Sequence, residues 1–450
     1  MKGDAPVVIE KGPYSYRESR QKFNISRGHD KVNYNQITNY KFDPSTSCSD
    51  CGPNDYFTSV NIPYVTILQK VKGVIDELFT KGEVKIIDEI LSGVLRYIHE
   101  DLFQNKTVNE TIWGYEDAMF EDYNKLRDGL VKRFHFLQGM LPNVSGTFAL
   151  QPNPNYDKYS TINTGESDVD KVGCYEQWNN NFGHLGFWNS PYANMLNGTD
   201  GSVYKPDISK DDMLFIFIIQ LCRSLNVEYL DEVTIEGIDG YRFHPPKYLF
   251  QSGNINPDNK GFCVPNCLPS GLLSISSCVP FQAPIVVSSP HFLNGDKSLL
   301  KMIHGLSPNE EKHDTFLSLE PNTGILLQAS KRIQFNIQVD PMAGIQDLEN
   351  VKSAQIPIMW IDEHVRIDSS NAQKVKKNVL NNLEIIKWVE LGLIILGGLM
   401  VLIAIILFIR LACSKNNETR LKLLAEEKQE DYGTNGDSGH LNPSLINASD

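Results

Sequence analysis

The residues that could do chemistry here are ten histidines, eight cysteines and a surplus of carboxylates, so their spacing has to decide which chemistry is open to them. His99-Glu100-Asp101 begins like a zinc-protease helix, but the second histidine that would share its face is absent. His291, His304 and His313 recur near Ser289, Glu310, Glu311 and Asp314, yet no Gly-x-Ser-x-Gly elbow or other activated nucleophile accompanies them. Cys48-Ser-Asp-Cys51 has the two-residue spacing of a metal knuckle without a second Cys or His pair to complete it. Phosphate loops and dinucleotide turns are missing as well. The residues thus nominate no catalytic group, no metal centre and no cofactor, and Cys48 with Cys51 reads as a local disulfide.

The net charge of −13 opposes binding to a phosphate backbone, which requires Lys and Arg to neutralise it, so no nucleic-acid partner is expected. One segment departs from the soluble pattern. Residues 391–409 (LGLIILGGLMVLIAIILFI) contain no charged, Asn, Gln or Pro residue. As a helix this run spans roughly 28 Å, close to the hydrocarbon thickness of a bilayer. Trp388 flanks it on one side, and Arg410, Lys415, Arg420 and Lys422 follow on the other. Positive charge on the cytosolic side then places the C-terminus in the cytosol and the large N-terminal portion outside it. A membrane helix over 385–410 and a disordered cytosolic tail over 411–450 are expected.

The cysteines and glycosylation sequons agree with that orientation. Cys48, Cys51, Cys174, Cys222, Cys263, Cys267 and Cys278 fall on the outer side, where disulfides persist. Acceptor sequons at Asn24, Asn105, Asn109, Asn143 and Asn197 all precede the membrane segment, whereas Asn417 and Asn447 would lie unused in the tail.

The elements that must position these residues alternate in character. Residues 63–123 read as helical, and Val84, Ile87, Leu91, Val94, Ile98 and Leu102 recur at three- and four-residue steps along a helix spanning 83–103. Such a stripe either packs on its own core or presents a partner-binding helix. Residues 142–201 read as loops and short strands, 213–221 as a buried strand or helix end, and 283–288 and 332–339 as strands.

Several motifs occur in an order that resembles the class B scavenger receptors: KGPYSYR at 11–17, WGYED at 113–117, NGTD at 197–200, CRS at 222–224, PHF at 290–292, LSPNEEKH at 306–313, EPNTG at 320–324 and Lys331-Arg332. Within that family VNIPYVTIL at 60–68, TGE at 164–166 and DNKGFCVPNC at 258–267 resemble its lysosomal branch. The resemblance implies an α+β ectodomain over 1–384: an irregular antiparallel β-barrel with an apical helical bundle, 63–123, and an internal apolar tunnel. It implies a first membrane helix a few dozen residues before KGPY, so the chain is expected to start after it. It also implies bridges from Cys222 to Cys278 and from Cys263 to Cys267. A third bridge of some members is lost here, its two places being held by Ala193 and Gly261.

Two departures bear on function. Fatty-acid-handling members resemble one another in a Gly-Lys near the tunnel entrance, where this chain has Gly165-Glu166. The acidic dileucine signal of the lysosomal branch is incomplete, since Leu445-Ile446 has Leu441 four residues before it. The resemblance implies a membrane receptor, not an enzyme, for a lipid or lipoprotein-like ligand. Lysosomal or late endosomal membrane is favoured over plasma membrane. A second expectation is a sorting or adhesion receptor that binds a luminal hydrolase or another protein through Val84, Ile87, Leu91, Val94 and Ile98.

Overall fold

The computed structural model describes residues 5–98, 100–144 and 146–432, excluding the side chains of residues 84, 85, 158, 384 and 429–432. It divides into two compact units, Met1–Asp368 and Ser369–Asp450.

The first unit is α+β, and every pairing between its strands is antiparallel. It opens with a long hairpin, β1 (Tyr16–Gly28) against β2 (Lys31–Phe42). The two-residue turn between them takes its reversal at Asp30, φ 59°. A bulge between Phe23 and Ser26 leaves Asn24 in the left-handed region. β2 pairs in turn with β3 (Asn155–Asn163), and two short strands, Tyr175–Trp178 and Asn181–Phe182, complete this sheet.

The helical insert follows from local signals. Asn61 caps α1 (Ile62–Thr80) by accepting the Tyr64 N–H, and Pro63 sits in the first turn, where no amide hydrogen is needed. Gly82, at φ 76°, releases the chain into α2 (Val84–Tyr97), and Asp117 caps α3 (Ala118–Arg133). The helix expected over 83–103 therefore ends at Tyr97. Ile98 is already extended, and residues 103–107 form a strand paired with Tyr56–Val60. That strand has a two-residue alternation of exposure, which the helical stripe through Leu102 conceals.

The second sheet contains β4 (Leu214–Ile218), β5 (Arg223–Ile235), β6 (Ile238–His244), β7 (Ile285–Ser288), β8 (Phe316–Leu319), β9 (Leu326–Val339) and β10 (Ala354–Arg366). Its order is β4-β5-β6-β8-β9-β7, ending on Leu273–Ser274, with β10 also paired to β9. β9 thus takes β8 along its first half and β7 along its second, and the sheet branches there. The antiparallel α+β architecture is as expected, but among the described residues neither large sheet closes into a barrel. One apolar cluster joins Leu68, Ile90 and Phe120 of the helices to Val287, Ile337 and Ile356 of this sheet.

In the second unit, α4 (Asn381–Tyr432) carries the whole apolar run. None of its most apolar window is buried in protein. Its apolar residues are exposed all round the axis, an arrangement that water penalises and a bilayer accepts. The helix continues through residues 411–432, which were expected to be irregular. Glu418 and Lys422, at the stabilising i, i+4 spacing, lie in this extension. The Leu445-Ile446 sorting motif lies outside the described residues.

Candidate binding site

The disulfide frame begins where β4 ends. Residues 219–221 make one tight turn, and Cys222 closes it with φ 49°. Cys222 is bonded to Cys278, and its carbonyl accepts the Trp188 indole N–H at 2.8 Å. Cys263 is bonded to Cys267, and Cys48 to Cys51. Cys48 and Cys51 therefore spend their sulfurs on each other, although Asp50 completes a group of metal-ligand types around them. Cys174 and Cys413 are free thiols. Burial raises the Cys174 thiol above its usual range and so keeps it a poor nucleophile at neutral pH.

Beside the Cys263–Cys267 bridge lies a cleft of about 890 Å³, lined by Asn189, Tyr192, Asn254, Asp258, Lys260 and Asn266 among others. The cleft has a mixed lining, with Tyr192, Pro257 and Pro265 beside the amides and charges. Gly261 is part of its wall, and a Cβ built on Gly261 would fall 3.0 Å from the Cβ of Ala193. The two places where the resemblance put a lost bridge are thus neighbours.

On α2 the apolar stripe faces inward. Ile87, Val94 and Ile98 are buried, Leu91 is half-buried against the same core, and the Val84 side chain lies outside the described residues. α2 approaches α3 closely at Gly93, where a Cβ would fall 2.3 Å from Leu126 Cδ1, and Glu89 pairs with Arg133 at 2.8 Å. The apolar residues that do reach solvent in this region are others: Phe79, Leu95, Phe103 and Phe136.

A polar cluster around the buried His291 and His313 adjoins β9 and β10. The turn Pro290–Phe292 holds His291 and Phe292 at φ 54° and 57°, a conformation rare for residues with a side chain. His291 Nε2 meets Glu10 Oε2 at 2.8 Å, and the other Glu10 oxygen accepts the Trp360 indole N–H at 3.0 Å. His291 Nδ1 accepts the Ser307 N–H and His313 Nδ1 accepts the Asn309 N–H. In both rings the Nδ1 lone pair is engaged by a backbone N–H, which places a ring proton on Nε2. Burial and the neighbouring His291 push His313 below the usual imidazole value. No hydroxyl or thiol is hydrogen-bonded to either ring among the described residues, so the pair does not build a nucleophile.

Asn24, Asn105, Asn109 and Asn143 are exposed, and Asn197 is half-buried. Glu166 is exposed beside Gly165, which has φ 77°.

A family model described as the CD36 family matches residues 1–408. The chain belongs to the CD36 family. It is 32% identical over 409 residues to lysosome membrane protein 2 of Homo sapiens, covering 89% of this chain and 79% of that one. Lysosome membrane protein 2 of Mus musculus is 32% identical over 388 residues, 85% of this chain and 74% of its own length. Scavenger receptor class B member 1 of Cricetulus griseus is 30% identical over 416 residues, 91% and 76% of the two chains. As a CD36-family chain with an exposed apolar helix, this is a scavenger-receptor-like membrane protein.

Sequence reasoning singled out His291 and His313 in this CD36-family protein but missed their stacking and the partners Glu10 and Trp360, which come from distant places in the chain with no local spacing. The left-handed pair at His291 and Phe292 leaves no sequence signal, since neither residue is Gly, Asn or Asp.

Proposed function

We propose that this protein is a class B scavenger-type receptor of the endosomal or lysosomal membrane that binds lipid and transfers it through its ectodomain. The observation that carries this reading is the family match over nearly the whole ectodomain, joined to an exposed apolar helix long enough to cross a bilayer. The similarity to lysosome membrane protein 2 favours the lysosome, and that to scavenger receptor class B member 1 keeps the plasma membrane as the alternative. An apolar tunnel within a barrel-like ectodomain, an apical placement of α1–α3 and glycans on Asn24, Asn105, Asn109, Asn143 and Asn197 belong to this reading. The exposed carboxylate of Glu166 argues for a sterol or another neutral lipid over a fatty acid, whose head group it would repel.

The test is transfer of a fluorescent sterol from donor to acceptor vesicles by the reconstituted full chain. Transfer that is faster than from protein-free vesicles supports the conduit. A rate equal to that of the protein-free vesicles sinks it.

A second reading rests on Phe79, Leu95, Phe103 and Phe136, apolar side chains that the fold leaves in solvent. These residues, and not the buried stripe of α2, would dock a luminal hydrolase or another protein in a sorting or adhesion receptor.

A further inference from the structure

The first residue of β5, Arg223, is 3% exposed and has no carboxylate partner among the described residues. Its Nη1 donates to the Leu249 carbonyl at 2.9 Å and its Nη2 to Asn259 Oδ1 at 3.4 Å. The Asn259 amide is fixed in that sense, because its Nδ2 donates to the carbonyls of Tyr248 and Gln251. The guanidinium carbon lies 3.7 Å from the centroid of the Phe262 ring, and Phe250 stands at 5.6 Å. These contacts supply neutral oxygens and ring faces, and no negative charge.

The Nε–H of Arg223 is buried and has no acceptor among the described residues. Arg223 also lines a cavity of about 20 Å³, together with Ser252, Gly253, Asn259, Asn266 and Ser274 among others. That is room for one water-sized body, too little for a phosphate or a substituted carboxylate. Burial lowers Arg223 to about 9, with the Tyr192 phenol the one titratable group that opposes the shift. The side chain therefore remains cationic at neutral and acidic pH. A buried cation without a counter-charge is strongly destabilising.

We propose that this cavity is a binding site for a single halide ion, chloride under physiological conditions, held by the guanidinium of Arg223. The neighbouring Ser252 and Ser274 hydroxyls and the Asn266 amide are donors of the kind that a halide accepts from. A water in the same place would satisfy Nε–H but leave the charge uncompensated, so the two occupants differ in what they do to stability.

The experiment uses the full chain in detergent. Its melting midpoint is followed as chloride replaces gluconate at constant ionic strength, and a bromide-soaked crystal is measured at the bromine edge. The expected result is a midpoint that rises with chloride and saturates as one site, with an anomalous peak within hydrogen-bonding distance of Arg223. Arg223→Lys, which keeps the charge but loses the fork, is expected to weaken the chloride response. If that variant does not fold, the wild-type titration and map decide alone. No chloride response together with no anomalous peak at Arg223 would overturn the site and leave water as its occupant.

Discussion

The imidazole rings of His291 and His313 stack with their centroids 4.3 Å apart and 9° between their planes, and Trp360 meets the second ring edge-on. Each ring offers Nδ1 to a backbone N–H, and protonation of His313 there would set two donors against each other. Glu10, Arg332 and Lys312 are the charged groups that act on His313 besides its stacked neighbour.

This arrangement sets a pH dependence. His313 is lowered from its usual value near 6.5 by burial, so the unfolded chain binds the proton more readily than the folded one. The stabilisation from the neutral ring is complete above about 6.5 and is lost as pH falls through the folded value. Urea midpoints of the full chain should therefore decline as pH falls below about 6.5. His313→Asn retains an oxygen for the Asn309 N–H and should flatten that decline. An unchanged slope in the variant would show that other groups cause it.

Gly261 and Ala193 make a second, independent prediction. A Cβ on Gly261 would lie 2.1 Å from Ser190 Oγ as well as 3.0 Å from the Ala193 Cβ. Its carbonyl is held by the Asn189 N–H, so the backbone has little room to yield. Gly261→Ala should cost about 1–3 kcal/mol in denaturant unfolding, and Ser190→Gly should recover most of it. In the Ser190→Gly background, Ala193→Cys with Gly261→Cys should form a bridge detectable by a mobility change on reduction. Stabilisation of roughly 2–4 kcal/mol is expected from it.

Gly198 tests how the NGTD segment is seated. It has φ 88°, and a Cβ there would lie 2.2 Å from the Phe215 carbonyl carbon. The contact is between two backbones, locked by the hydrogen bonds Thr199 N–H to Phe215 O and Phe217 N–H to Thr199 O. No rotamer change can relieve it. Gly198→Ala should destabilise the ectodomain by more than the ~1 kcal/mol typical of a glycine-to-alanine change at a left-handed site. Thermal unfolding measures it, and a shift of under a degree would refute the packing described.

Much of this was legible in the sequence. The membrane helix is a matter of length and apolarity, and both are local properties. The motif order carried the family, and with it the Cys222–Cys278 and Cys263–Cys267 pairings. The α2 stripe was visible too, but periodicity cannot say whether an apolar face meets its own core or a partner. Here Ile87, Val94 and Ile98 are buried, while Leu95 and Phe136, outside any pattern, are exposed. The Glu10–His291–Trp360 cluster depended on pairing across hundreds of residues and left no local trace.

The two faces of α2 give the last prediction, because they separate folding from recognition. Val94 is 2% exposed within the main core, while its neighbour Leu95 is 59% exposed. A charge at Val94 would be buried without a partner, so Val94→Asp should destabilise the ectodomain by about 3–5 kcal/mol and lower its yield. Leu95→Asp places the same charge in water and should move the unfolding midpoint by no more than ~0.5 kcal/mol. If a protein partner docks on the solvent face of the helices, Leu95→Asp combined with Phe136→Asp should abolish its capture while the fold stays intact. Vesicle-to-vesicle sterol transfer by the same variant should be unaffected. Capture that survives both charges would remove this face from the recognition surface, and loss of sterol transfer would mean that the helices belong to the lipid route instead.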